Sequence, residues 1–452
     1  MAVQTYQRQT QVQTAKSELF DWHECEGAFE RLSPPWEQVR VRSRSGTIRD
    51  GDTVDLEVKV GPVPVRWRAQ HQDYVSGQQF CDVQEGGPFK LWKHIHSVSG
   101  DGDESAINDA ITYQLPFSPL SDLVAGGAIR SKLDRLFTYR HRTTRDDLAA
   151  HTRFSGQHLR VGLTGSSGLV GRTLAPFLTT GGHDVILYRR SEDSRTGQFW
   201  NPESIENVDA VIHLAGESSD GRWSASNKAK IAQSRIEGTS QLVNHIIRSS
   251  RLTRVLVCAS AIGYYGDRGD ERLSETASKG DGFLSDVCEQ WEAATQPARE
   301  AGIRVVNLRF GVVISARGGA LTRMLPSFKF GVGGRVGSGT QYMSWIGIDD
   351  AVGAIHHAIC DPALSGPVNV VSPSPVTNLT FTKSLGLVLG RPTVAPFLAF
   401  AARAAFGEMV YAPLLSSTRC APDSLMCAGY RFRYPDLEDA LRFQLGRMPL
   451  SE

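Results

Sequence analysis

Glycines at 165, 168 and 171 set the first chemical expectation. They stand in Thr164-Gly165-Ser166-Ser167-Gly168-Leu169-Val170-Gly171, directly after the apolar run 159–164 and ahead of a helical pattern reaching Leu178. In such a loop the first glycine permits a tight strand-to-helix turn. The second lets backbone amides approach a pyrophosphate, and the third lets the helix pack closely on the strand. The helix N-terminus then offers free N–H groups to the anion. The spacing therefore predicts a dinucleotide site on Thr164, Gly165, Ser167, Gly168, Leu169, Val170 and Gly171. A glycine-rich turn without a ligand is the alternative, and the strand–loop–helix context weighs against it.

The end of the next strand bears on which dinucleotide. It reads Tyr188-Arg189-Arg190-Ser191, with the nearest acid, Glu192, further on. A carboxylate there would bind a ribose 2′-OH, whereas guanidinium groups suit a 2′-phosphate. Arg189 and Arg190 thus favour NADP, in its reduced form NADPH, unless they are merely solvated surface arginines.

Two different grammars surround this loop. Before it, 54–60 and 63–69 alternate apolar and polar residues across a Gly61-Pro62 break, as a hairpin does. Further strands fit 79–84, 91–98 and 107–115, framed by a helix after Ser17 and a long helix over 120–139. That is an α+β layout. The polar stretch 140–157 reads as a boundary. From 159 onward, strands at 185–188, 210–214, 254–260 and 303–309 alternate with helices, 228–249 being the clearest. This is the pattern of an α/β, doubly wound parallel sheet. The expected domains are 1–150, 158–390 and 391–447.

Composition adds exclusions. The 452 residues are 40% hydrophobic and 21% charged, with a formal net charge of +1. No basic field invites nucleic acid. Seven scattered cysteines without a CxxC argue for reduced thiols rather than a disulfide framework or zinc site. No secretion signal or membrane span is apparent, so a soluble cytoplasmic protein is expected.

Several motifs extend the pattern: Val211-Ile-His-Leu-Ala-Gly-Glu217, Arg222-Trp223, Ser234-Arg235, Ser260-Ala-Ile-Gly-Tyr-Tyr-Gly-Asp267, Trp291-Glu292, Leu308-Arg-Phe-Gly-Val-Val313 and Trp345-Ile-Gly-Ile-Asp-Asp350. With these, residues 159–447 resemble the atypical extended short-chain dehydrogenases called epimerase-family proteins. The resemblance implies a Rossmann domain and a small appended C-terminal domain. It also implies cofactor contacts from Leu214, Ala215, Gly216, Glu217, Arg235, Ser260 and Val312. The N-terminal block, with Phe80-Cys-Asp-Val-Gln-Glu-Gly-Gly-Pro-Phe-Lys-Leu-Trp-Lys-His-Ile-His96 and Tyr113-Gln-Leu-Pro116, resembles START-like (polyketide cyclase, helix-grip) domains. That implies a sheet gripping a long helix around an apolar ligand cavity.

Short-chain dehydrogenases generally pair a Ser with Tyr-x-x-x-Lys, the phenol moving the proton and the lysine lowering its pKa. Ser260 matches the serine. The segment expected to hold the pair reads Phe283-Leu-Ser-Asp-Val287, and neither Phe283 nor Val287 can carry a proton. Tyr264 and Tyr265 are the nearest replacements, with packing as their competing role. Glu217 either orients a hydroxyl or starts a helix, Arg235 either reaches the cofactor or makes a surface ion pair, and Asp349-Asp350 is expected to cap a helix. Trp92, His94 and His96 share a strand face. Two histidines suggest a metal, but the sequence shows no third ligand, and a cavity-lining or hydrogen-bonded role is favoured. The sequence thus supports an NADP(H)-binding oxidoreductase or epimerase acting on a small molecule. A non-catalytic NADP(H) sensor or interaction protein is the alternative.

Overall fold

The computed structural model describes residues 3–37, 39–60, 63–116, 120–188, 207–217, 224–249, 253–394 and 415–449. Two units divide the chain. One takes in 1–156, 179–182 and 443–452; the other takes in 157–178 and 183–442.

The first unit runs β1 (Gln4–Val12), α1 (Lys16–Glu24), α2 (Ala28–Leu32), β2 (Arg40–Arg44), β3 (Thr53–Val60), β4 (Val63–Val75), β5 (Gln79–Gly86), β6 (Leu91–Asp101), β7 (Glu104–Gln114) and α3 (Leu120–Thr152). Its seven strands form one antiparallel sheet in the order β1-β7-β6-β5-β4-β3-β2. Strand β6 shows why these residues pair. Trp92, His94, His96 and Val98 are buried, and the residues between them are less so. Side chains two apart share a face, so one buried face fixes the register. At the β6–β7 turn Gly102 adopts φ +63°, which glycine tolerates without strain.

The edge strands β1 and β2 were not anticipated. In β1 only Tyr6 and Val12 are buried, so its alternation is almost wholly polar. The stretch 140–157, expected as a boundary, is helical to Thr152. Several of its polar residues are buried, His141, Thr143, Thr144 and Asp147 among them, and Asp147 takes two hydrogen bonds from Arg31, of 2.7 and 2.8 Å. A charge can be interior when paired in this way, and composition alone then misleads.

The second unit contains β8 (Arg160–Thr164), α4 (Leu169–Thr180, of which 179–180 fall in the first unit), β9 (Asp184–Tyr188), β10 (Ala210–His213), α5 (Ala225–Ser249) and β11 (Val255–Ala261). A 3₁₀ turn (Ile262–Tyr265), β12 (Arg272–Leu273), α6 (Phe283–Ala293), α7 (Gln296–Glu300), β13 (Arg304–Phe310) and β14 (Val312–Ile314) follow. Then come α8 (Gly319–Lys329), β15 (Tyr342–Met343), β16 (Trp345–Gly347), α9 (Ile348–Cys360), β17 (Gly366–Val370), β18 (Val376–Thr377) and α10 (Asn378–Leu389). The main sheet is six-stranded and parallel, ordered β17-β13-β11-β10-β8-β9. Its direction of growth reverses between β8 and β10. A doubly wound sheet opens its ligand crevice at such a switch point, outside the carboxyl ends of the strands.

Asp350 does not cap α9. The cap position is Gly347, with no side-chain cap hydrogen bond. The buried Asp350 carboxylate instead accepts the N–H groups of Arg433 (2.7 Å) and Tyr434 (3.1 Å). Burial nevertheless pushes its carboxyl up to about 6. Asp350 therefore fastens the segment ahead of the final helix, Leu437–Gln444. All seven cysteines are free. No helix among the described residues is long and apolar enough to cross a membrane.

Candidate functional site

The glycine loop lies between β8 and α4, where Gly165 and Gly171 each have a measurable cause. Gly165 takes φ +73°, and a Cβ there would sit 2.6 Å from the Leu214 backbone. A Cβ on Gly171 would fall 2.3 Å from the Gly165 carbonyl oxygen. The Gly168 N–H donates to that same oxygen at 3.0 Å, closing the turn. Ser167 and Gly168 are exposed at the helix N-terminus, and Leu169 and Val170 are half-buried. This cradle fits a pyrophosphate.

Thr164 and His213 hold the loop to the sheet. Thr164 Oγ1 lies 2.8 Å from His213 Nδ1 and accepts the Ala215 N–H at 3.3 Å. His213 Nε2 reaches Thr239 Oγ1 at 3.0 Å, and that oxygen also accepts the Trp291 indole N–H at 3.0 Å. Burial pushes the His213 imidazole down to about 3, so it stands there neutral.

The Leu214-Ala215-Gly216-Glu217 segment follows β10 toward the same edge. Ser234 accepts the Glu217 N–H at 3.0 Å, and Arg235 donates to the Glu217 carbonyl at 3.1 Å. The Arg235 guanidinium lies 5.1 Å from the Trp291 ring centre. Arg235 thus shapes the loop through backbone and ring contacts. Val312, opening β14, is half-buried and donates its N–H to the Ser344 carbonyl. Arg189, Arg190, Arg222 and Trp223 lie outside the described residues.

Ser260 is near the end of β11, and its hydroxyl donates to Glu292 Oε1 at 2.7 Å. Glu292 in turn receives Arg309 through two hydrogen bonds of 2.8 Å. Arg309 also donates to the Tyr265 hydroxyl at 2.9 Å, and that hydroxyl donates to Asn369 at 2.8 Å. Burial opposes the charge on Arg309, but Glu292 and the Tyr265 oxygen more than offset it and raise its pKa. The Tyr265 phenol is fully buried, and that burial pushes its pKa well up. Its hydroxyl is committed on both sides, so Tyr265 packs the interior. Tyr264 is half-buried, with the Arg309 guanidinium 3.6 Å from its ring centre. Phe283 and Val287 stand in the first turns of α6, with the Lys228 ammonium 5.5 Å from the Phe283 ring centre.

Sequence reasoning assigned no role to Glu292 or Arg309, although both fall in the quoted motifs. Seventeen positions separate them, and only the packing of α6 on the sheet joins them.

In the N-terminal unit a cavity of about 610 Å³ is lined mainly by apolar side chains, among them Leu56, Trp67, Phe89, Leu133 and Phe137. His94 and His96 line it too, and so does Asp82 on neighbouring β5. The third ligand-type side chain that the local sequence did not show is therefore supplied across the sheet.

The parallel sheet, glycine cradle and adjoining loops define an NAD(P)-binding Rossmann protein. The pattern described as the NAD dependent epimerase/dehydratase family matches residues 161–371, and a domain of unknown function (DUF1731) matches 399–444. An epimerase family protein of Mycobacterium bovis, Mb2239, is 43% identical over 296 residues, covering 64% of this chain and 98% of that protein. The crystal structure of a nucleoside-diphosphate sugar epimerase from Corynebacterium glutamicum is 33% identical with a TM-score of 0.81. It covers 99% of this chain and 91% of that one. Human epimerase family protein SDR39U1 (isoform 2) with NADPH is 30% identical with a TM-score of 0.59, over 64% of this chain and all of that one. The chain belongs to the epimerase family that these relatives represent.

Proposed function

We propose that this chain is an NADP(H)-dependent oxidoreductase or epimerase acting on a hydrophobic small molecule, and that its N-terminal unit is a START-like domain that holds or delivers that molecule. One observation carries the catalytic part. The glycine cradle, the 214–217 loop and Ser260 all lie at the carboxyl ends of three neighbouring parallel strands, β8, β10 and β11. A bound nicotinamide would supply hydride chemistry. Thr164, Gly165, Ser167, Gly168, Leu169, Val170 and Gly171 would bind the pyrophosphate, with Leu214, Ala215, Gly216, Glu217, Arg235 and Val312 completing the wall. Arg189 and Arg190 would select the 2′-phosphate. Ser260 would hold the substrate oxygen, and Tyr264 rather than Tyr265 would donate the proton. The human relative solved with NADPH agrees with this cofactor choice. The sheet, the 33-residue helix α3 and the apolar cavity support the START-like assignment.

A second reading, a non-catalytic NADP(H) sensor, is favoured by two features. The Ser260 hydroxyl proton is already engaged by Glu292, while Phe283 and Val287 occupy the places of the usual tyrosine and lysine. An NADPH-oxidation screen over aldehydes, ketones and quinones separates the two. Turnover lost in Ser260→Ala establishes the enzyme. Tight NADPH binding without turnover on any substrate establishes the sensor.

A further inference from the structure

We propose that Asp82, His94 and His96 form a binding site for one divalent transition-metal ion, of the Zn²⁺ type, opening into the cavity of the N-terminal unit. The three residues come from paired strands. His94 and His96 share one face of β6, and β5 sets Asp82 directly opposite His94. One ligand atom from each lies within 4.8 Å of the others.

The orientation of the rings carries the argument. Asp82 Oδ1 stands 3.2 Å from His94 Nδ1 and 3.3 Å from His96 Nε2. A tetrahedral ion with N and O ligands at about 2.0–2.1 Å sets neighbouring ligand atoms about 3.3 Å apart. Asp109, on β7, faces the other nitrogen of each ring: its Oδ1 is 2.8 Å from His94 Nε2 and 2.6 Å from His96 Nδ1. The His96 Nδ1 contact lacks hydrogen-bond geometry, and that buried nitrogen makes no hydrogen bond. The other Asp109 oxygen meets His141 Nε2 at 2.5 Å. For His94, Asp109 thus stands as the outer carboxylate that orients a ligating imidazole in metal sites; His94 Nδ1 and His96 Nε2 face Asp82 instead, through contacts that an ion would replace. Asp82, His94 and His96 line the cavity and Asp109 does not.

Three protein ligands leave a fourth position toward the cavity, as in sites that bind water or a ligand oxygen. Imidazole with carboxylate suits Zn²⁺, Co²⁺ or Fe²⁺ better than Ca²⁺ or Mg²⁺. This assignment stands whether or not the cavity also takes an apolar molecule.

The test uses the full chain, stripped with chelator and titrated with Co²⁺ under visible spectroscopy, followed by Zn²⁺ competition. One equivalent should bind with ligand-field bands that Zn²⁺ abolishes. Asp82→Asn and His96→Gln should each weaken binding at least ~100-fold, and Asp109→Asn, acting through the rings, by about 10–100-fold. Circular dichroism identifies any variant that fails to fold. Anomalous scattering from a Co²⁺-soaked crystal of the unaltered protein then locates the ion without a mutation. Absence of Co²⁺ binding, unchanged affinity in folded Asp82→Asn, or an ion placed elsewhere, such as the buried His183, His356 and Cys360 group, overturns the proposal.

Discussion

Glu292 and Arg309 meet through two parallel hydrogen bonds of 2.8 Å, and Ser260 donates to the same carboxylate. Their side chains are 13% and 4% exposed, so the pair is largely removed from water. Removing one partner of such a pair leaves an uncompensated buried charge, at a cost of about 3–5 kcal/mol. Glu292→Gln is expected to lose that much stability in urea unfolding. A loss under ~1 kcal/mol would show that the guanidinium finds other partners.

Gly171→Ala tests the cradle. Its Cβ would press 2.3 Å from the Gly165 carbonyl oxygen, which belongs to backbone and cannot swing aside. The helix must move away from the loop, at a cost of about 1–3 kcal/mol. NADPH affinity, read by fluorescence titration, should fall at least tenfold. Wild-type affinity in this variant would remove the loop from the cofactor site.

His213 gives the Rossmann unit a sign-defined acid sensitivity. Its folded pKa is near 3, against an ordinary 6.5, because burial disfavours the cation. Between those values the unfolded chain binds a proton that the folded chain does not, so stability rises with pH. The contribution is complete above about pH 6.5 and declines as pH falls, by about 1.4 kcal/mol per pH unit. His213→Gln should flatten the slope of unfolding free energy against pH between 4 and 6 by that amount. Comparing variant with wild type cancels Asp350, whose raised pKa acts with the opposite sign. Identical slopes would contradict the assignment.

Arg190→Ala tests cofactor choice. If the guanidinium binds a 2′-phosphate, the substitution should cost about 1.5–3 kcal/mol of NADPH affinity, roughly 10–100-fold, and leave NADH affinity nearly unchanged. A wild-type protein that binds both equally well rules out the arginine argument.

Legibility along the chain followed how local the cause was. The glycine loop was readable because a positive φ at Gly165 and a close approach at Gly171 act within seven residues. Strands β3 to β7 were readable from two-residue alternation. Strand β1 was hidden because a polar edge strand lacks that contrast, and the end of α3 because its buried Asp147 is paired from 116 positions away. Tyr264 and Tyr265 looked equivalent as neighbours. Only packing sends one phenol inward between Arg309 and Asn369 and leaves the other half-buried.

The sequence by itself determined the Rossmann cradle, since turn geometry and strand–helix alternation are short-range. The tertiary structure alone decided what Ser260 touches and what stands beside His94 and His96. Glu292 reaches Ser260 across 32 positions, and Asp82 and Asp109 reach the histidines from neighbouring strands. Sheet register and helix packing create those contacts, and no local spacing encodes them.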